Sequence, residues 1–78
     1  ADIYALGVLF FLMFVGSFPF ESDEVFAHHL HTPPPDPRSV NPTVSPALAA
    51  IILRCLAKDR ERRFPDVATL KAALLTEI

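Results

Sequence analysis

Cysteine and glycine are scarce in this 78-residue chain, and each scarcity excludes a class of molecule. A single cysteine, Cys55, cannot close an internal disulfide, so the chain is not a disulfide-stapled small domain. Two glycines, Gly7 and Gly16, are too few and too far apart for a glycine-rich phosphate loop. Basic residues are also few: Lys and Arg number 7 against 9 Asp and Glu, for a net charge of −2. That balance argues against nucleic acid as a partner. No Lys or Arg precedes Arg38, so the positively charged start of a secretory signal is missing.

Apolar residues, by contrast, are abundant. They make up 51% of the chain and charged residues only 21%, a core-like balance rather than that of a disordered segment. A domain of this length buries only about 60–65% of its unfolded surface. The chain therefore carries more apolar surface than it can comfortably hide, and it starts on Ala1 rather than methionine. The expectation is a piece of a larger domain.

The excess is concentrated in residues 3–20, which contain no charged side chain. A buried helix, a membrane-associated helix and a signal segment compete for this run. Gly16, Ser17 and Pro19 end it early, leaving a helix of about 14 residues where a membrane span needs about 20. An all-round apolar helix of that length reads as one buried in a larger protein. After the turn 16–20, Ser22 is an N-cap candidate, with Asp23 and Glu24 suited to a helix start. A short helix over 23–31 would place Val25, Phe26, His29 and Leu30 on one face.

Residues 32–46 hold six of the eight prolines and are predicted as an extended loop, neither helix nor central strand. Ser45-Pro46 then marks a helix start, as N-cap and first helical residue. Leu48, Ile51, Ile52, Cys55 and Leu56 follow at the spacing of one buried face. A polar turn, residues 58–63, separates it from a last helix capped by Asp66, with Val67, Leu70, Leu74, Leu75 and Ile78 as its stripe. No strand pattern appears, so the fold class is all-α with four helices.

Few side chains suggest chemistry. His28 and His31 stand three apart and can share a helical face, but no second pair of metal ligands is suitably spaced. Cys55 on an apolar stripe reads as an inert buried thiol. Pro34-Pro35-Asp36-Pro37 matches a polyproline ligand, but such matches arise by chance where prolines are dense, and an ordered connector between two helices is the reading here. Arg60, Arg62 and Arg63 interleave with Glu61 as a solvated turn, where one arginine can also be buried against a carboxylate.

The motifs in order carry a resemblance. Asp2-Ile3-Tyr4-Ala5-Leu6-Gly7, then Gly16-Ser17-Phe18-Pro19-Phe20, resembles the C-terminal lobe of eukaryotic-type protein kinases. His31-Thr32-Pro33-Pro34-Pro35-Asp36-Pro37 and Val40-Asn41-Pro42 look most like bacterial Ser/Thr kinases. Residues 53–59 with Arg63-Phe64 are similar to the family's L-x-K-x-P-x-x-R-[FY] stretch, Arg60 standing where the family usually has proline. A looser turn or a slightly longer helix is expected there.

What the resemblance implies covers residues 1–78 as a partial kinase domain, a four-helix portion of the C-terminal lobe, with the proline-rich loop 32–46 inside it. Asp2 would support the catalytic loop, with Tyr4 and Gly7 beside it. Arg63 would latch the glutamate of the A-P-E motif that follows the activation loop. Phe18, Pro19, Phe20, Phe26 and Leu30 are candidates for docking proteins. The parent reaction is transfer of the ATP γ-phosphoryl to Ser or Thr with Mg²⁺. Yet the glycine-rich loop, the ATP-anchoring lysine and the H-R-D, D-F-G and A-P-E motifs are not among these residues. No catalytic, cofactor or metal residue is therefore assigned here, and the 78 residues alone are expected to be inactive. The partners implied are the N-terminal remainder of the domain and protein substrates or regulators, in the cytoplasm, with any membrane tether outside this segment. A non-catalytic interaction module, the remnant of a pseudokinase, is the alternative, and a small membrane-anchored protein a third reading.

Overall fold

The computed structural model describes residues 2–20, 27, 29 and 31–77. Its long apolar run becomes helix α1, Ile3–Val15. Asp2 caps its start, accepting from the Ala5 amide at 3.0 Å. Gly16 ends it at φ 103°, a left-handed conformation that only glycine adopts without strain. Its amide donates back to the Leu12 carbonyl at 3.1 Å. Ile3, Gly7, Phe11 and Val15, each four apart, form the buried ridge.

That ridge lies on the helix Pro46–Cys55. Ser45 caps it by accepting from the Leu48 amide at 3.1 Å, and Pro46 takes the first position, where a missing amide hydrogen costs nothing. Ile52 and Cys55 are buried within it and Leu56 just after it, as the spacing predicts, while Leu48 and Ile51 are only half-buried and Ala49, outside the predicted face, is buried. The two helices approach closely at Gly7. A Cβ there would stand 2.6 Å from Cys55 Cβ and 3.1 Å from Leu56 Cδ2, so glycine sets the interhelical distance. Phe11, Val15, Val44, Ala49, Ile52 and Leu56 make one buried cluster, and Ile3, Cys55, Phe64 and Leu70 a second.

The proline-rich stretch departs from expectation. It is not extended throughout: Pro37–Val40 forms a single helical turn, α2. Asp36 caps it, accepting from the Arg38 amide at 3.0 Å, and Pro37 sits at the first position. The same cap–proline pairing that starts the next helix, α3 (Pro46–Cys55), therefore works here as well. Pro37 is fully buried. Asn41 ties the stretch to the end of α1, its amide nitrogen 3.4 Å from the carbonyls of both Phe14 and Val15.

The polar turn after α3 contains a 3-10 helix, Arg60–Arg62, capped by Asp59. The last helix, α4, spans Val67–Leu75 with Asp66 as its cap, as predicted. Its stripe is only partly buried. Leu70 is enclosed, but Val67 is 41% and Leu75 59% exposed, because only one side of the helix faces the cluster of Ile3, Cys55 and Phe64. Ile78 lies outside the described residues. Of the helix expected over 23–31, Ala27, His29 and His31 are helical, while Phe26 and Leu30 fall outside the described residues. The described residues are thus all-α with no strand. None of their helices is long and apolar enough to cross a membrane.

Candidate functional site

The residues singled out at the start of α1 and in the turn before α4 lie together. Arg63, half-buried, is anchored by two backbone acceptors of the turn it closes. Its Nε donates to the Ala57 carbonyl at 2.7 Å and its Nη2 to the Lys58 carbonyl at 3.4 Å. Its guanidinium carbon stands 4.9 Å from the centre of the Tyr4 ring, within cation–π range. A cavity of about 480 Å³ opens beside it, lined by Asp2, Ile3, Arg60, Arg63 and Pro65. Two guanidinium groups and one carboxylate thus face a single space, which favours an anionic occupant.

Asp2 is exposed, and its Oδ1 accepts from Ala5 as the helix cap. Gly7 contributes contact rather than chemistry, through its packing on Cys55. Arg60 begins the 3-10 turn, with Asp59 in extended conformation before it. The turn is a 3-10 helix, Arg60–Arg62, separate from α3, which ends at Cys55.

Tyr4 has a second set of neighbours that no local spacing announces. Its hydroxyl is 2.7 Å from His29 Nδ1, and the two rings meet edge-on at 5.4 Å. Lys58 Nζ donates to the His29 carbonyl at 2.9 Å and reaches the Tyr4 hydroxyl at 3.5 Å. Burial pushes the Tyr4 phenol above its ordinary value, and the Arg63 charge draws it partly back. Burial also lowers the Lys58 ammonium, and Arg63 lowers it further as a like charge. The sequence places His29 on one face of a short helix and Lys58 in a polar turn, and neither placement brings the two together. The only signal available for Lys58 was its place in the stretch that resembles the family motif.

The docking candidates divide. Phe18 is half exposed, Pro19 is buried, and Phe20 turns inward to meet the His29 ring at 5.0 Å and Lys58 Nζ at 4.8 Å. Phe26 and Leu30 lie outside the described residues.

Gly7 is packed inside a helix contact and Gly16 is a helix cap, so neither opens a phosphate loop. No group of three His, Cys, Asp or Glu side chains converges among the described residues, His31 being exposed and His28 lying outside them. Cys55 is fully buried and its thiol is pushed up to about 11 by that burial, against the opposing charge of Arg54. A thiol held protonated at neutral pH is a poor nucleophile.

No family model matches the chain. Curated proteins do, among them three bacterial kinases. The chain is 45% identical over 78 residues to the serine/threonine-protein kinase Pkn1 of Myxococcus xanthus, covering 95% of this chain and 11% of that one. It is 42% identical over 73 residues to the DNA damage-responsive serine/threonine-protein kinase RqkA of Deinococcus radiodurans, covering 90% and 11%. It is 32% identical over 79 residues to the serine/threonine-protein kinase PrkC of Bacillus subtilis, covering 97% and 12%. The chain thus spans about a tenth of the length of the curated relatives it matches.

Proposed function

Because the chain belongs to the bacterial serine/threonine protein kinases, we propose that it works as scaffold, latch and docking surface in the C-terminal lobe of a kinase domain. The domain's reaction is transfer of the ATP γ-phosphoryl to a Ser or Thr hydroxyl of a protein, in the cytoplasm. Nucleotide and Mg²⁺ are held by other parts of that domain.

Arg63 carries the reading. A guanidinium fixed by two carbonyls and an aromatic ring, beside a cavity it shares with Arg60, is ready to receive a carboxylate. Planar bidentate pairing makes arginine suited to that task. The carboxylate is that of the glutamate following the activation segment, whose docking fixes the surface on which the substrate hydroxyl is presented. Asp2, at the rim of the same cavity, accepts backbone amides of the catalytic loop through the oxygen not used in capping. Phe18 and the segment around it meet protein substrates or regulators.

Phosphoryl transfer is mostly positioning and charge stabilisation, so loss of a latch appears as lost rate. In the kinase domain that carries this chain, Arg63→Ala is expected to lower kcat about tenfold or more while the domain still melts cooperatively. Wild-type kcat in that folded variant would overturn the reading.

A further inference from the structure

Three stretches of the chain that are distant in sequence meet on one ammonium group. Lys58 lies just beyond α3, Tyr4 in the first turn of α1, and Phe20 and His29 in the segment between α1 and the proline-rich stretch. Besides its bonds to the His29 carbonyl and the Tyr4 hydroxyl, Lys58 Nζ stands 4.8 Å from the Phe20 ring centre and 5.7 Å from that of Tyr4. The hydroxyl of Tyr4 closes the circuit on His29 Nδ1 at 2.7 Å. The same Tyr4 ring carries the guanidinium of Arg63, and Arg63 in turn donates to the main-chain carbonyl of Lys58.

Two cations therefore share one aromatic ring, an arrangement that direct repulsion opposes. It persists because each has its own acceptors: the His29 carbonyl for Lys58, and the Ala57 and Lys58 carbonyls for Arg63. Removing the ammonium would take away the bond to the His29 carbonyl and the contact with the Tyr4 hydroxyl, leaving the Tyr4 ring on which Arg63 rests held to this side only through His29. A hydrocarbon of similar length would keep the packing and lose only the donors.

We propose that Lys58 is a positioning residue: its ammonium ties Phe20 and His29 to Tyr4, and through Tyr4 it sets the orientation of Arg63. Phe20, one of the docking candidates, and the latch are then aligned together. This rests on the reading of Arg63 as a latch and adds a residue which that reading does not include.

A double-mutant cycle in the kinase domain carrying this chain tests it, with kcat and KM measured for phosphoryl transfer from ATP to a fixed serine peptide. Lys58→Met is expected to lower kcat about five- to tenfold with KM for ATP unchanged, and to cost less than about twofold when Arg63 is already alanine. Lys58→Arg, which restores charge and donors, is expected to recover most of the loss. An equal factor for Lys58→Met in both backgrounds, or no loss at all while Arg63→Ala is impaired, overturns the proposal and leaves the latch standing. Wild-type kcat in Arg63→Ala overturns both. Should Lys58→Met not fold, Tyr4→Phe takes its place in the cycle, since it keeps the ring and removes the bridging hydroxyl; additivity with Arg63→Ala is then the overturning result.

Discussion

At the scale of single residues, Gly7 does more than its small size suggests. In an exposed helix, replacing glycine by alanine gains roughly 1 kcal/mol of helix propensity. Here the new methyl would meet Cys55 Cβ at 2.6 Å, and a Cβ cannot move unless its helix does. Leu56 Cδ2, at 3.1 Å, can rotate a little, but Leu56 is fully buried and has little room. The clash outweighs the propensity gain, so Gly7→Ala is expected to destabilise the folded domain by about 1–3 kcal/mol. Urea denaturation measures it, and a midpoint at or above wild type would show that α1 and α3 can separate at no cost. Gly16 presents the opposite case. A Cβ there meets nothing within 4 Å, yet its backbone at φ 103° is one that other residues resist.

At the scale of elements, the capping pairs explain both what the sequence makes plain and what it hides. Ser45-Pro46 and Asp66 announce their helices because each stands before a long apolar stripe. Asp36-Pro37 carries the same cap and first residue, but its helix is only four residues long, too short to develop a period. Proline density hid the turn. The Tyr4–His29–Lys58 cluster was illegible for another reason: its members lie 25 and 54 residues apart in the chain, so only the tertiary fold brings them together. The 3-10 turn Arg60–Arg62 shows why proline suits this family position. Asp59 is extended at ψ 116°, the conformation a following proline demands, and its side chain caps the Glu61 amide rather than that of Arg60. Arg60 stands where a proline's fixed φ fits and no amide bond is lost. Arg60→Pro is therefore expected to stabilise the domain by about 0.4–1 kcal/mol, chiefly by restricting the unfolded chain. A lower melting temperature in that variant would mean that the Arg60 side chain contributes more than the backbone gains.

At the scale of the whole molecule, the apolar excess of the sequence has a definite place. One ridge of α1 is buried against α3, while Leu9, Met13 and Phe14 remain 46%, 62% and 41% exposed on other faces of the same helix. Beside them Leu6 and Phe10 join Val67, Leu70 and Leu74 in a groove of about 230 Å³ between α1 and α4. Contiguous apolar surface of this kind draws another surface onto it. In the proposed kinase domain, the remainder of the lobe supplies that surface. For the 78 residues alone, the available cover is a second copy. Sedimentation of the isolated chain is therefore expected to show concentration-dependent association at micromolar levels, while the double variant Leu9→Lys, Met13→Lys shifts toward monomer with unchanged helical circular dichroism. Both positions lie off the buried ridge, so the added charges meet solvent and leave the α1–α3 contact in place. A wild-type chain that stays monomeric across that range, with a sharp reversible melt, would mean that these faces are satisfied without a partner and that the helix needs no lobe around it.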